Sequence, residues 1–473
     1  MSRTVHAGRA WAAVRALALA AVLSLAALTA LALPRPALAN HSQPTIFDAP
    51  RELRSDDARL RARTLDEITS LGASWVRVVV GWHGVAPNPG RKKAPHFAET
   101  DPASYDWHVY DRIVAEARAR GLKILMTPSS PVPRWATLGG RSTTRFPSAT
   151  RFGRFVQALG ARYRTQVSNW SVWNEPNLST FLGPQYVNGK PYSPKLYRRL
   201  YQAASGALKR SGNGSDRLLI GETAPRMRKG KAISPLSFFR GVLCLNTRYK
   251  RSRHCGKLDA DGWAHHPYTT GSGPYWQPPI RDDVSIGSLR RMTTALARAG
   301  RARALKKGAG LWLTEFGVQS YPDPYVGVSQ QRQAEWRSIG EWLAWKSPRV
   351  KAFSQYLMRD DLPRTSGGRY AGFESGLRRS NGTAKLALRG FRLALVADRA
   401  SKRRVNLWGH VRPAKGRTRA IVQYHAHGRW HTLKSVRTDR HGVLSARTTF
   451  HSGRSYRLRW QGSTGPSTRV TQS

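Results

Sequence analysis

Residues 167–177 read VSNWSVWNEPN. The first part of this stretch is typical of a buried β-strand, and Pro176 ends the strand because proline has no amide hydrogen to give to a sheet. The carboxylate of Glu175 then stands at the carboxyl end of the strand, where an unpaired charge would be costly. Glu175 is therefore either a functional residue or one partner of a structural salt bridge.

Residues 311–317, LWLTEFG, repeat this layout: an apolar strand, the carboxylate of Glu315 at its exit, and Gly317, which releases the chain from the strand. Between residues 44 and 398, further apolar runs alternate with stretches of helical spacing. The strand candidates are Thr45–Asp48, Trp75–Val80, Lys123–Thr127, Val167–Trp173, Leu218–Glu222, Gly262–His266, Leu311–Glu315 and Ala352–Leu357.

This alternation of strands and helices predicts a parallel sheet that is covered by helices. Eight such units in roughly 350 residues predict an α/β fold, the closed (β/α)8 TIM barrel. A doubly wound open sheet is the alternative, but no glycine-rich phosphate-binding turn follows the first strand. In the barrel, the fourth and seventh strands lie across the mouth from each other, so Glu175 and Glu315 would face one another over a cleft.

Two facing carboxylates are the arrangement that glycoside hydrolysis uses. One carboxyl group attacks or stabilises the anomeric carbon, and the other moves the proton. Retaining enzymes hold the two groups about 5–5.5 Å apart, whereas inverting enzymes hold them about 6.5–9.5 Å apart. The nucleophile needs a low pKa, and a second negative charge nearby raises the pKa of the acid.

Several short motifs resemble those of clan A retaining glycoside hydrolases, of the cellulase superfamily, and families 5 and 39 are the most similar. The motifs are WNEPN at residues 173–177, HPY at 266–268, TEFG at 314–317, SYDW at 104–107 and PRWA at 133–136. Their order and their positions at strand ends are more specific than any one motif alone. The resemblance covers roughly residues 44–395.

The resemblance implies a role for each matching residue: Glu175 would be the general acid/base and Glu315 the nucleophile, with no cofactor. No metal site is expected, because the adjacent His265 and His266 would point to opposite faces of a strand and could not both bind one ion. Asn174 would hold a sugar hydroxyl, and Arg77 and Tyr268 would form hydrogen bonds to the nucleophile and keep it ionised. The residues implied to line the sugar subsite are His266 and, as stacking platforms, Trp82, Trp135 and Trp173.

The activity implied by the resemblance is hydrolysis of O-glycosidic bonds in a β-linked polysaccharide or oligosaccharide by double displacement. The alternative is a barrel that has lost its chemistry and acts as a secreted carbohydrate- or cell-wall-binding protein. Glu222 also follows an apolar strand, and a salt bridge is the favoured interpretation for it. Asp360 and Asp361 follow the last strand and are expected to anchor nearby arginines rather than to contact sugar.

Beyond residue 398 the pattern changes to short runs that alternate apolar and polar residues, which is typical of antiparallel strands. We predict a small immunoglobulin-like β-sandwich over residues 399–473, after a barrel over residues 40–398, with Lys402–Arg404 at the edge of a linker. Residues 401–473 hold sixteen Lys and Arg but a single acid, Asp439, so carboxylate chemistry must reside in the barrel.

The amino terminus predicts export. Basic residues precede the apolar run Leu17–Leu33, and Ala37-Leu38-Ala39 provides a cleavage pattern, so residues 1–39 are expected to be a signal peptide and the protein to be secreted. The alternative is an uncleaved membrane anchor, and no later run is apolar and long enough to span a membrane. Export favours a disulfide between Cys244 and Cys255 over a metal site with His254, because a four-ligand set is missing.

The chain has 473 residues and a net charge of +52, from 79 Lys and Arg against 27 Asp and Glu. A hydrophobic content of 40% excludes wholesale disorder. The excess of positive charge implies attraction to polyanions, such as an anionic cell-wall or surface polymer bound through the basic C-terminal region. Specific nucleic-acid binding would need a known module or a localised basic stripe, and the sequence has neither.

Overall fold

The computed structural model describes residues 43–269, 271–366, 369–413 and 416–471. The predicted signal peptide, residues 1–39, lies outside this part of the chain. Among the helices described there, none combines the length and the apolar character that crossing a lipid bilayer requires.

Eight parallel strands close into a barrel in the order β1-β8-β7-β6-β5-β4-β3-β2. Their bounds are β1 (Thr45–Asp48), β2 (Trp75–Gly81), β3 (Lys123–Ser129), β4 (Asn169–Ser171), β5 (Arg217–Thr223), β6 (Gly262–His265), β7 (Gly310–Leu313) and β8 (Val350–Tyr356). The predicted (β/α)8 fold is confirmed, and each of the eight strand predictions overlaps one strand of the barrel.

Helices connect the barrel strands, and the larger helices bury apolar residues against the barrel. In the fifth helix, for example, Phe152 and Phe155 are fully buried against the barrel. Asp57, Ser148 and Ser329 cap helices by accepting hydrogen bonds from amides of the first turn. The helices are α1 (Pro50–Leu53), α2 (Ala58–Ser70), α3 (Trp82–Val85), α4 (His108–Ala119), α5 (Ala149–Arg162), α6 (Ser193–Arg210), α7 (Pro235–Val242), α8 (Leu289–Arg301), α9 (Gln330–Trp345) and α10 (Leu386–Arg392).

The barrel interior changes from apolar to polar toward its mouth. Near the amino ends of the strands, a buried apolar layer consists of Ile46, Trp75, Leu125, Leu219, Ala264, Trp312 and Ala352. Residues two apart in a strand point to the same side. Two positions further along, buried polar groups therefore enter, namely Asp48, Arg77, Thr127, His266, Thr314 and Ser354. This alternation places polar side chains at the floor of the mouth.

The C-terminal region is an all-β domain, as predicted. Its main sheet has the order β12-β11-β14-β15-β9-β10-β13, and it curls so that Leu407, Val422 and Leu458 share one core. The bounds are β9 (Leu393–Arg399), β10 (Arg404–Val411), β11 (Arg419–Ala426), β12 (Arg429–Arg437), β13 (Val443–Thr449), β14 (Ser455–Trp460) and β15 (Thr468–Thr471).

The start of this domain differs from the prediction. Strand β9 pairs with β10, so the all-β region begins at Leu393 and not at residue 399. Lys402 and Arg403 lie in the turn between these two strands, and the predicted linker edge is therefore wrong. The alternation that marks a half-buried strand is missing from β9 because both of its faces are buried. Leu395 faces the domain core, whereas Val396 packs near Trp342 of α9.

Cys244 and Cys255 form the predicted disulfide, in the connection between α7 and β6. Their Cα atoms are 6.2 Å apart, and eleven positions separate them in the sequence. Closing a loop of this length restrains the unfolded chain and stabilises the fold by about 2–4 kcal/mol.

Candidate active site

Glu175 and Glu315 stand at the mouth of the barrel, one after β4 and the other after β7. Their side chains are 13% and 11% exposed, so solvent reaches each carboxylate. One carboxylate oxygen of each residue and one ring nitrogen of His266 all lie within 4.8 Å of one another. The two carboxylates therefore converge on one small volume.

Arg77, on β2, is a buried cation in the middle of the mouth. Its guanidinium donates to Glu315 Oε1 at 2.6 Å and to Asn174 Oδ1 at 2.7 Å. It also donates to Glu222 Oε2 at 3.1 Å and to Asp48 Oδ2 at 3.2 Å. Burial alone would lower the pKa of the guanidinium, but the surrounding carboxylates raise it well above its usual value. Arg77 therefore stays charged and holds Glu315 and Asn174 in place.

Glu222 has no exposed surface and enters the mouth through an irregularity in β5. The register with β6 shifts between Ile220 and Thr223, and Gly221 and Glu222 have φ angles of +118° and +50°. Glycine is required at position 221, since a Cβ atom there would lie 2.6 Å from the carbonyl oxygen of Ala264. The bulge turns the side chain of Glu222 into the barrel.

The partners of Glu222 keep it ionised. It accepts hydrogen bonds from Thr314 Oγ1 at 2.8 Å and from Arg77, and its Oε2 lies 2.7 Å from His266 Nε2. Burial raises the pKa of this carboxyl group, but Arg77 and His266 outweigh burial and lower the pKa to about 2. Glu222 thus forms the predicted salt bridge, although it lies beneath the rim of the barrel.

His266 lies between carboxylates on both sides. Its Nδ1 is 3.0 Å from Glu175 Oε1, and its Nε2 faces Glu222. Burial opposes protonation, but Glu315, Glu175 and Glu222 together raise the pKa of His266 to about 10. The imidazolium can therefore donate to a carboxylate from each ring nitrogen. The neighbouring His265 points elsewhere, toward Val284, and burial lowers its pKa to about 3.

Glu175, His266 and Glu315 also present ligand atoms close enough together to hold a metal ion. A histidine binds a metal through an unprotonated ring nitrogen. Here both ring nitrogens of His266 face carboxylates, and the raised pKa keeps both protonated. These three residues therefore fit a network of ion pairs, in which His266 and Arg77 carry the positive charge, better than they fit a metal centre.

A cavity of about 270 Å³ opens beside Glu315. The Tyr268 hydroxyl donates to Glu315 Oε2 at 2.9 Å, and burial together with Glu315 raises the pKa of Tyr268. The Tyr268 ring meets Tyr356 edge-on at 6.2 Å, and Tyr356 meets Phe373 at 5.5 Å, so three rings form one aromatic wall. Of these three rings, that of Tyr356 lines the cavity, together with Asp48, Arg54, Arg77, Asn174, Phe181 and Glu315.

Trp82, Trp135 and Trp173 are not stacking platforms, and that prediction is wrong. Trp82 and Trp173 have no exposed surface, and Trp135 is 5% exposed. The Trp82 ring stacks on Phe155 at 5.1 Å, and Trp173 packs edge-on against Phe152 at 5.1 Å. These three tryptophans fill the core between the barrel and α5.

Two residues at the mouth were missed in the sequence, namely Asp48 and Tyr356, which end β1 and β8. Each of them lies at the exit of a strand, and this is the same sequence signal that marks Glu175. Burial raises the pKa of Asp48 to about 7, although Arg77 opposes the shift.

Asp360 is anchored as expected, but its partner is Lys385, with Nζ–Oδ1 at 2.9 Å, rather than an arginine. Its neighbour Asp361 does pair with an arginine, Arg364, at 3.5 Å.

No protein-family model matches the sequence, and no curated protein matches it. The chain is similar to the structure of a family 39 glycoside hydrolase from Bacteroides cellulosilyticus, with 17% identity, a TM-score of 0.50, and coverage of 89% of this chain and 82% of that chain. It is also similar to a glucosidase from Croceicoccus marinus, with 12% identity, a TM-score of 0.53, and coverage of 90% and 96%. The chain therefore has the fold of clan A glycoside hydrolases, and at that level the resemblance seen in the sequence is confirmed.

Proposed function

We propose that the protein is a retaining glycoside hydrolase that cleaves O-glycosidic bonds in a β-linked polysaccharide or oligosaccharide. The convergence of Glu175 and Glu315 carries this proposal, with carboxylate oxygens within 4.8 Å of each other. This spacing is near the separation of about 5–5.5 Å in retaining enzymes and well short of about 6.5–9.5 Å in inverting enzymes.

In the first step, the Glu315 carboxylate attacks the anomeric carbon while Glu175 gives its proton to the glycosidic oxygen, so the aglycone leaves as an alcohol. In the second step, water attacks the anomeric carbon, Glu175 takes the proton from the water, and the ester bond to Glu315 breaks. Both steps invert the anomeric carbon, so the product keeps the configuration of the substrate.

The contacts around Glu315 fit the role of nucleophile. Arg77 and Tyr268 donate to different oxygens of its carboxylate, which fixes the orientation of the group. Asn174 accepts from Arg77 and lines the same cavity, so its amide is available to a sugar hydroxyl. His266, between Glu175 and Glu222, positions the acid/base.

A panel of aryl β-glycosides and β-linked polysaccharides, with the first-formed product anomer observed by NMR, tests this proposal. We expect the β-anomer to appear first, and a Glu175→Ala variant with added azide to release a β-glycosyl azide. An α-anomer as first product would contradict the retaining mechanism. Binding of a polysaccharide without turnover by the wild type would favour the carbohydrate-binding alternative.

We also propose that the protein is exported with residues 1–39 as a cleaved signal peptide. The Cys244–Cys255 disulfide supports export, since disulfides persist in oxidising compartments. Amino-terminal sequencing of protein from the culture medium should begin at Asn40. A mature protein that starts at Met1 and sediments with membranes would instead support the anchor.

The basic C-terminal region is proposed to hold the enzyme near an anionic surface polymer. Deleting this region would expose the apolar face of α9 at Ile339 and Trp342, so a charge variant is the better test. Exposed arginines of β11 and β12 are suitable, and replacing Arg419, Arg429 and Arg437 by Gln should reduce retention on an anionic polymer at low salt. Unchanged retention would contradict the proposal.

A further inference from the structure

The end of the barrel opposite the mouth has a concave surface of its own. A cavity of about 730 Å³ lies against residues at the amino ends of the barrel strands. A second cavity, of about 460 Å³, shares Lys123, Arg217 and Asp261 with the first. We call the joined cavities the basic groove, and its cationic residues are Arg118, Lys123, Arg217, Lys306, Lys307 and Lys351.

The charges in the basic groove are not balanced by the protein. Its carboxylates are Asp216 and Asp261, against six cations. Of these cations, Lys306 alone forms an ion pair within the described part of the chain, at 3.5 Å from Asp261, and Asp216 accepts from the indole of Trp170. Like charges around a concave surface repel one another until a counter-charge enters.

The floor of the basic groove strengthens the positive electric field of these cations. Trp75 and Trp312 form the floor and are only 5% and 6% exposed. The Arg217 guanidinium lies 5.9 Å and 5.0 Å from the centres of these two rings, and it donates to Asn169 Oδ1 at 2.6 Å. An apolar floor beneath charges of one sign concentrates the electric field above it. Arg217 is therefore held in position before a ligand arrives.

We propose that the basic groove binds an anionic glycan chain, whose charges are carboxylates or phosphodiesters. The two adjoining cavities, of about 460 Å³ and 730 Å³, offer more room than a small anion would fill, which favours a polymer. Exposed Gln166, Ser168 and Ser215 line the second cavity and offer hydrogen bonds to sugar hydroxyls. Proteins that bind single-stranded nucleic acids stack the bases on exposed aromatic rings, and both tryptophans of the floor are covered. The proposal is independent of the hydrolase, because the basic groove and the mouth lie at opposite ends of the barrel.

Binding measurements on the full mature chain test this proposal, with polygalacturonate, poly(glycerol phosphate), a neutral glucan and duplex DNA as probes. The test variant is Lys123→Gln/Lys307→Gln/Lys351→Gln. The matched control is Lys93→Gln/Lys195→Gln/Lys250→Gln, which removes the same charge from exposed positions elsewhere. All these lysines are exposed, and none is among the residues that form the mouth described above, so both variants should keep the melting temperature of the wild type.

We expect the test variant to bind one or both anionic glycans about 10-fold more weakly than the wild type, and the control to lose less than about 2-fold. The two glycans separate carboxylate from phosphodiester recognition, and binding should weaken as salt rises. Equal losses in both triple variants would overturn the proposal, since net charge alone would then explain the binding. The proposal would also be overturned if the wild type bound neither glycan at low salt. It would be overturned as well if the protein bound DNA more tightly than the glycans and the test variant weakened DNA binding to the same extent.

Discussion

The two ends of the barrel handle charge in opposite ways. At the mouth, Arg77 and His266 are buried and each contacts more than one carboxylate. In the basic groove, lysines such as Lys307 and Lys351 are exposed and have no carboxylate partner among the described residues. Buried charges that satisfy each other belong to the folded state, whereas exposed charges of one sign depend on a partner from outside. The effects of substitutions at the two ends should therefore differ in kind as well as in size.

The largest effect is expected on catalysis at the mouth. Glu175→Gln should lower kcat by about 10²–10⁴-fold, because the amide cannot transfer a proton to the leaving group. Glu315→Gln should abolish nearly all turnover while substrate still binds. Steady-state kinetics on an aryl β-glycoside measures both changes, and Lys307→Gln is the control, with an unchanged kcat. A Glu175→Gln enzyme with wild-type kcat would remove this residue from the mechanism.

The next effect is on stability at the mouth. Arg77→Met leaves Asp48, Glu222 and Glu315 without their shared cation, and this should cost about 3–5 kcal/mol of unfolding free energy. Urea denaturation of the variant and the wild type gives the difference. Lys351→Met is the matched control, since it removes an exposed charge from the other end. A loss below about 1 kcal/mol for the Arg77 variant would mean that the mouth is not held together by this ion pairing.

The third effect is a pH dependence at the mouth. The pKa of His266 is raised from 6.5 to about 10, so its contribution to stability is complete below pH 6.5 and is lost as the pH rises to 10. The pKa of Glu222 is lowered from 4.5 to about 2, so its contribution is present above pH 4.5 and is lost toward pH 2. Urea denaturation across this pH range, compared between the wild type and a His266→Gln variant, should show a difference that shrinks above pH 6.5.

A direct titration of the His266 ring by NMR separates this contribution from those of other groups. Glu222→Gln should move the pKa of His266 down from about 10, because the imidazolium loses one of its carboxylate partners. A His266 ring that titrates near 6.5 in the wild type would contradict the charge arrangement described for the mouth.

The smallest effect is expected in the basic groove. Lys307→Gln should change the unfolding free energy by no more than about 0.5 kcal/mol, since an exposed cation without a partner contributes little to the fold. Calorimetry at low salt gives the sign of this change. Removing one cation relieves the repulsion within the basic groove, so we expect a slight gain in stability. A loss above about 1 kcal/mol would show that Lys307 has a structural role and would weaken the contrast between the two ends.

The barrel and its two carboxylates could be predicted from the sequence because both depend on local patterns. Apolar runs bounded by helical stretches mark parallel strands, and the carboxyl ends of such strands meet at one face. Glu175 and Glu315 each follow one of these runs directly, so their convergence required no knowledge of the loops. The same rule applies to Asp48, which ends the short strand β1.

The errors have a different origin, since they depend on packing between distant segments. A buried tryptophan and a sugar-stacking tryptophan look alike in a sequence, and only the fold shows that Trp82 lies against Phe155 of α5. The depth of Glu222 depends on a bulge after Ile220, which a single glycine in a strand only hints at. Strand β9 resembles a barrel strand in the sequence, because a strand buried on both faces shows no alternation.

The absence of a spacer between α10 and β9 affects how the enzyme would work on a surface. The helix ends at Arg392 and the strand begins at Leu393, while Val396 and Trp342 are buried in the same cluster. If the all-β domain binds a polymer as proposed, it would therefore present that polymer to the cleft at one fixed angle and distance, without the movement that a flexible tether would allow. Each attached molecule would reach only the chains beside it, so spreading along the polymer would require letting go and binding again.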